Sequence, residues 1–125
     1  MTMSDTTVLL VDDDPDIRRI LQFTLSAEGY EVTTASDGEE AIKLARQLVP
    51  DVMVLDVMMP GYDGYGVLEH LRSNPITQNI RVLMLSAKVT DDDVWNGWRA
   101  GADCYLTKPF DINKVLEFVG QHAPV

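Results

Sequence analysis

Five short apolar runs rich in β-branched residues recur along the chain, and this recurrence constrains the fold more than any other feature. They are Val8 to Val11, Glu31 to Thr34, Val52 to Val57, Arg81 to Leu85 and Cys104 to Thr107. Each is separated from the next by a segment with helical spacing, opened by a capping or turn residue. Strands alternating with helices are the pattern of a parallel sheet covered on its faces, because parallel neighbours need a long crossover and a helix supplies it. Pro15 follows Asp14 at the first helix start, and Ile17, Ile20, Leu21 and Leu25 fall on one face before Gly29. Asp37, with Glu40 three residues on, opens a second helix that carries Ala41, Ala45 and Leu48 and ends at Pro50. Tyr65 to Ser73, Asp91 to Ala100 and Asp111 to His122 give the third, fourth and fifth. The first and third runs are almost wholly apolar, as central strands buried on both faces require, whereas Glu31 to Thr34 carries polar side chains and suits an edge. Right-handed crossovers then predict an α/β fold with five helices and a five-stranded, doubly wound parallel sheet of strand order 2-1-3-4-5.

A chain of 125 residues, 46% hydrophobic, can bury a core of its own without disulfides or structural zinc. We expect residues 1–125 to form a single domain, with residues 1–7 as a polar extension that lacks the positive charge of a secretory signal. The one cysteine, Cys104, rules out a disulfide within the chain, fits a reducing cytoplasm and is expected to fill core space. No apolar run approaches the ~18 residues of a membrane span. Twenty Asp and Glu against ten Lys and Arg leave a net charge of −10, which repels nucleic-acid phosphates and anionic lipid. The excess acid suits a cation instead.

The informative polar residues stand where strands end. Asp12, Asp13 and Asp14 close the first run, Asp56 lies near the end of the third, Ser86 closes the fourth, and Lys108 follows the fifth. In a parallel sheet the carboxyl ends of all strands share one edge, so these residues should converge there. Two like charges 4 Å apart repel by roughly 4 kcal/mol at an effective dielectric near 20, so clustered carboxylates at this edge call for a cation. An all-oxygen donor set suits Mg²⁺. A carboxylate beside Mg²⁺, a lysine and a hydroxyl is equipped to attack a phosphoryl group. An acid inside an apolar strand, as at Asp56, is costly to bury unpaired and points to function. Asp14 before Pro15 reads as a helix cap.

Other constellations carry less. Asp12, Asp14 and Asp16 imitate the opening of a calcium loop, but Ile17 stands where that loop needs glycine and Phe23 where it needs glutamate. Gly61, Gly64 and Gly66 lack the spacing of a phosphate-cradling loop and read as turn geometry. His70 and His122 read as surface residues. Trp95 and Trp98 share one face of the fourth helix, where core packing and a partner surface both remain open.

Four segments together resemble the receiver domains of two-component response regulators, and are similar to the chemotaxis response regulator. They are Leu9 to Pro15, Asp56 to Gly64, Leu85-Ser86-Ala87, and Gly101-Ala102-Asp103 followed by Tyr105 to Phe110; the resemblance runs from Val8 to about His122. Members of that family are themselves the standard example of the flavodoxin-like order 2-1-3-4-5, so the strand order is not independent of the resemblance. The resemblance implies that Asp56 accepts a phosphoryl group from a sensor histidine kinase or phosphotransfer protein. It implies that Asp13 and Asp56 bind Mg²⁺ directly, with Asp12 completing the acidic pair and the Met58 carbonyl the ligand set. Ser86 and Lys108 would contact the phosphoryl group, a cis Lys108-Pro109 bond would aim the lysine, and Ser86 with Tyr105 would switch the surface of the fourth helix, fifth strand and fifth helix for an output partner. Met58 and Lys88 would flank the path of water to the acyl phosphate. The expected protein is a cytoplasmic switch that catalyses its own phosphorylation and dephosphorylation rather than an enzyme, and a monomer or a phosphorylation-dependent dimer. The competing reading is a Mg²⁺-dependent phosphohydrolase with Asp12 or Asp14 as nucleophile; a third is a receiver that never takes phosphate.

Overall fold

Side chains alternate across a strand, so an apolar run covered on both faces feeds two cores at once. The strands β1 (Thr7–Val11), β3 (Val52–Asp56) and β4 (Arg81–Ser86) do this. Leu9, Val11, Met53, Leu55, Val82 and Met84 enter one core, and Val8, Leu10, Val52, Val54, Leu83 and Leu85 enter the other. The structure, a computed structural model, describes residues 6–59, 63–87 and 101–123. With β2 (Glu31–Ala35) and β5 (Cys104–Thr107), these strands form a sheet of order β2-β1-β3-β4-β5 in which every neighbouring pair is parallel. Ala41 and Ala45 of α2 (Gly38–Leu48) and Val67, Leu68 and Leu71 of α3 (Gly64–Arg72) close the first core. Leu21 and Leu25 of α1 (Pro15–Ala27) and Val115, Phe118 and Val119 of the C-terminal helix α4 (Ile112–His122) close the second. This is the doubly wound sheet that the sequence predicts, with the polar β2 at an edge.

Local chemistry sets the helix starts. Asp14, Asp37, Asp63 and Asp111 each accept a backbone N–H of the turn they open, from Asp16, Glu40, Gly66 and Asn113. Such caps contribute about 1 kcal/mol each. The reciprocal arm of the second cap differs from a standard capping box, because the Glu40 carboxylate accepts from Ser36 N–H, one residue before the cap. Gly29 ends α1 at φ 92°, as its position predicts, while α2 ends on Val49 at φ 44°, a left-handed conformation unusual for a β-branched residue.

Several sequence expectations shift. β1 begins at Thr7, one residue before the expected Val8; β2 and β4 each run one residue further and β3 stops one residue sooner. Helix three spans Gly64–Arg72, and Asp111 caps the C-terminal helix rather than joining it. Ile20 is 58% exposed. The buried stripe of α1 runs through Ile17, Leu21 and Leu25, and Ile20 lies about 100° round the helix from Leu21. Leu48 is half exposed in the last turn of α2, where the chain leaves the sheet face at Val49. His122 is half-buried rather than a free surface group: its ring lies 4.3 Å from that of Phe118, and Nδ1 is 3.0 Å from the Phe118 carbonyl. Cys104 is half-buried, packs against the second core as a free thiol, and has its pKa raised by burial. The expected fourth helix with Trp95 and Trp98, Lys88, and the stretch Pro60-Gly61-Tyr62 lie outside the described residues.

Candidate functional site

Parallel pairing brings the polar strand ends to one edge. Asp56, the last residue of β3, pairs in register with Leu85, so Ser86 is the next residue along the adjacent strand, itself in register with Thr107 of β5. Lys108 follows Thr107, and its main-chain N–H donates to the Ser86 carbonyl at 2.7 Å. The Lys108-Pro109 bond is cis. On the other side of β3, Asp12 continues β1 and donates its main-chain N–H to Ala35 O of β2.

Asp12, Asp56 and Ser86 are 3%, 2% and 1% exposed. Lys108 Nζ lies 3.0 Å from Asp12 Oδ2 and 3.4 Å from Asp56 Oδ2. The other oxygens of the two acids meet backbone: Asp14 N–H donates to Asp12 Oδ1 at 2.9 Å, and Met58 N–H to Asp56 Oδ1 at 3.2 Å. Asp13 is exposed, yet it offers a carboxylate oxygen to a group in which Asp12, Asp13 and Asp56 lie within 4.8 Å of one another. Three carboxylates facing one lysine leave an excess of negative charge, and this cluster can hold a metal ion. The donor set is all oxygen, which fits a hard cation such as Mg²⁺.

Burial first, and then the neighbouring Asp12 carboxylate, push the Asp56 carboxyl up to about 7, against the pull of Lys108 and the Met58 N–H. Burial tends to lower the Lys108 pKa, but its hydrogen bond and charge contact with Asp12, and then Asp56, outweigh this and raise it. The raised Asp56 predicts a pH dependence for metal-free protein. The unfolded chain loses this proton near 3.8, while the folded chain keeps it to about 7. The stability it contributes is therefore complete below about 4 and is lost as pH rises through about 7. Without metal, the thermal midpoint should fall between pH 5 and pH 8, and millimolar Mg²⁺ should restore it at pH 8 while changing little at pH 5, where protons compete. Asp56→Asn should flatten this profile; an unchanged slope in that variant would assign the pH dependence to other groups.

The local sequence explains why β3 can end on a site. Gly64, the first residue of α3, donates its N–H to Val57 O at 2.8 Å, and a Cβ there would meet Asp56 O at 2.6 Å and Val57 Cα at 2.8 Å. This glycine is required by close approach rather than by a turn. Two residues at the site carry no sequence signal that marks them. Arg18 Nη1 donates to Asp12 O at 2.6 Å, and the Tyr65 hydroxyl lies 3.4 Å from that of Tyr105, which is half-buried on β5.

Residues 8–120 match the response regulator receiver domain family, and the chain belongs to it. It is 46% identical over 108 residues to the alkaline phosphatase synthesis transcriptional regulatory protein PhoP of Bacillus subtilis, covering 86% of this chain and 44% of that protein. The chain spans less than half the length of the curated relatives it matches. Among solved structures, it resembles the receiver domain of the Francisella response regulator 1452 at 35% identity and a TM-score of 0.88, covering 95% of this chain and 97% of that one. It also resembles the receiver domain of the sensor histidine kinase PA1611 of Pseudomonas aeruginosa PAO1 at 27% identity and a TM-score of 0.87, covering 96% and 98%; that structure has a magnesium ion coordinated in its active-site cleft. Among the described residues, no helix is long and apolar enough to cross a membrane.

Proposed function

We propose that this receiver domain accepts a phosphoryl group on Asp56 from a histidine kinase or phosphotransfer protein, and that residues 1–125 act as one cytoplasmic signalling unit. The observation that carries the reading is a buried carboxylate at the carboxyl end of a central strand, 3.4 Å from a lysine ammonium and grouped with two further acids. One Asp56 oxygen attacks the phosphorus atom while the bond from phosphorus to the donor nitrogen, or to the acyl oxygen of a small donor, breaks. The leaving group takes that electron pair; a donor nitrogen also takes a proton from solvent, whereas the acyl oxygen departs as a carboxylate. This step requires an ionised Asp56, which burial and Asp12 oppose and Lys108 assists. Asp13, Asp56 and the Met58 carbonyl, with Asp12 beside them, would hold Mg²⁺, which offsets charge on the phosphoryl oxygens when bound. Lys108 pairs with a phosphoryl oxygen and the Ser86 hydroxyl donates to another, so both are drawn towards Asp56 after transfer. Tyr105 then turns on the adjacent strand, and the face it helps form changes its affinity for an output partner. The likeness to PhoP, a transcriptional regulatory protein, favours a transcriptional output.

The contact of Asp14 favours this reading over a phosphohydrolase that uses Asp14 as nucleophile: Asp14 is exposed and its Oδ1 accepts Asp16 N–H as a helix cap. Incubation with acetyl phosphate and Mg²⁺ should add one phosphoryl group to the intact mass, and excess chelator should abolish the addition. Equal labelling in chelator would remove the metal from the account.

A further inference from the structure

We propose that Arg18 is a positioning residue for cation binding, holding the Asp12–Asp13 corner so that its carboxylates face Asp56. The inference rests on the reading of this cluster as a Mg²⁺ site. Arg18 grips the corner through its side chain: its guanidinium Nη1 donates to the main-chain carbonyl of Asp12 at 2.6 Å, while its main-chain N–H makes the first helical bond of α1, to Asp14 O at 3.1 Å, which any residue here would make. The Asp12 side chain is already fixed by Lys108 and by Asp14 N–H. Asp13 is exposed, and the direction of its carboxylate depends on the backbone that carries it. Because the peptide unit is planar, fixing the Asp12 carbonyl fixes the amide plane that leads into Asp13. A charged donor at 2.6 Å is a strong hold on that plane.

The position is chemically paradoxical if Arg18 acts by charge alone. A guanidinium bonded to the Asp12 carbonyl brings positive charge to the acidic corner and so competes with a divalent cation, and removing its charge should tighten metal binding. Removing a positioning contact should do the opposite. The two roles therefore predict opposite signs for one measurement. Arg18→Met keeps the apolar stem while deleting both donor and charge; Arg18→Lys keeps the charge but replaces the planar fork with a single ammonium.

The test is a Mg²⁺ titration of the full chain followed by amide NMR shifts. Arg18→Met should bind Mg²⁺ at least threefold more weakly than wild type, with Arg18→Lys between them. In the metal-free spectra the Asp13 and Asp14 amides should move while those of β4 and β5 stay in place. Binding by Arg18→Met as tight as wild type, or tighter, overturns the proposal and leaves the metal site standing. Should Arg18→Met fail to fold, Arg18→Lys decides: affinity equal to wild type overturns the proposal, and weaker affinity with Asp13 displaced supports it. A wild-type chain that shows no Mg²⁺ response at all overturns the metal reading itself, and this inference with it.

Discussion

Replacing Lys108 with alanine is expected to slow phosphorylation by acetyl phosphate at pH 7 about a hundredfold, the scale on which a single preorganised charge-stabilising donor acts. Lys108 Nζ stands between Asp12 Oδ2 and Asp56 Oδ2, so its removal leaves two buried carboxylates without their shared counter-charge. The Asp56 carboxyl, already up at about 7 through burial and Asp12, would rise further and hold its proton more firmly. The phosphoryl oxygens would lose a cationic partner as well. Metal affinity should move the other way, since a divalent cation entering the cluster would no longer meet the ammonium. Slower labelling together with tighter Mg²⁺ binding is thus the signature expected of Lys108→Ala, read by a mass time course at saturating metal and a separate titration. An unchanged labelling rate would remove Lys108 from the chemistry.

The second large effect lies at the opposite edge of the sheet and concerns stability. Arg72, the last residue of α3, donates from Nε and Nη2 to Gly101 O at 3.0 and 2.8 Å, and from Nη1 to Gln78 O and Ile80 O at 2.9 and 2.7 Å. Its Nη2 also meets Asp103 Oδ2 at 3.2 Å, and that carboxylate accepts Val82 N–H at 2.8 Å. One guanidinium therefore ties the end of a helix to the chain entering β4 and the chain entering β5. Burial lowers its pKa while Asp103 acts to raise it. Arg72→Ala should destabilise the fold by about 2–4 kcal/mol, because several carbonyls lose their donor in a partly buried setting. Arg72→Lys should recover only a fraction, since a single ammonium cannot reproduce the planar fork. Chemical denaturation measures this directly, and a midpoint within error of wild type would show that water replaces these bonds without cost. Mg²⁺ affinity should stay near wild type, because the site is formed by the other ends of the strands.

The sheet was legible because its signals are local and periodic. Continuous apolar runs marked β1, β3 and β4 as doubly covered, and polar side chains marked β2 as an edge. Strand ends in a parallel sheet share one side, so Asp12, Asp56, Ser86 and Lys108 could be gathered from sequence positions alone, and the structure brings them to neighbouring strand ends. Exposure along a helix was less legible. Ile17, Ile20, Leu21 and Leu25 look equivalent in spacing, yet only a stripe about 100° wide faces the sheet, and Ile20 falls outside it. The i, i+4 spacing of Phe118 and His122 did carry a signal for their ring contact. Arg18, Tyr65 and Arg72 act through contacts with groups distant in sequence or with main-chain carbonyls, and such contacts impose no periodicity on the residues that make them. Gly64 is similar: its requirement comes from Asp56 and Val57 backbone pressed against it, a constraint of packing rather than of turn type.

The most direct test of Asp56 as the acceptor is the intact mass of wild type and Asp56→Asn after incubation with acetyl phosphate and Mg²⁺. Asparagine preserves the shape of the side chain while removing its nucleophilic charge, so a folded variant isolates the chemistry. We expect wild type to gain one phosphoryl group and Asp56→Asn to gain none, with both showing native amide spectra. Retention of the phosphoryl group by Asp56→Asn would contradict the account, place the nucleophile at Asp12 or Asp14, and favour the phosphohydrolase.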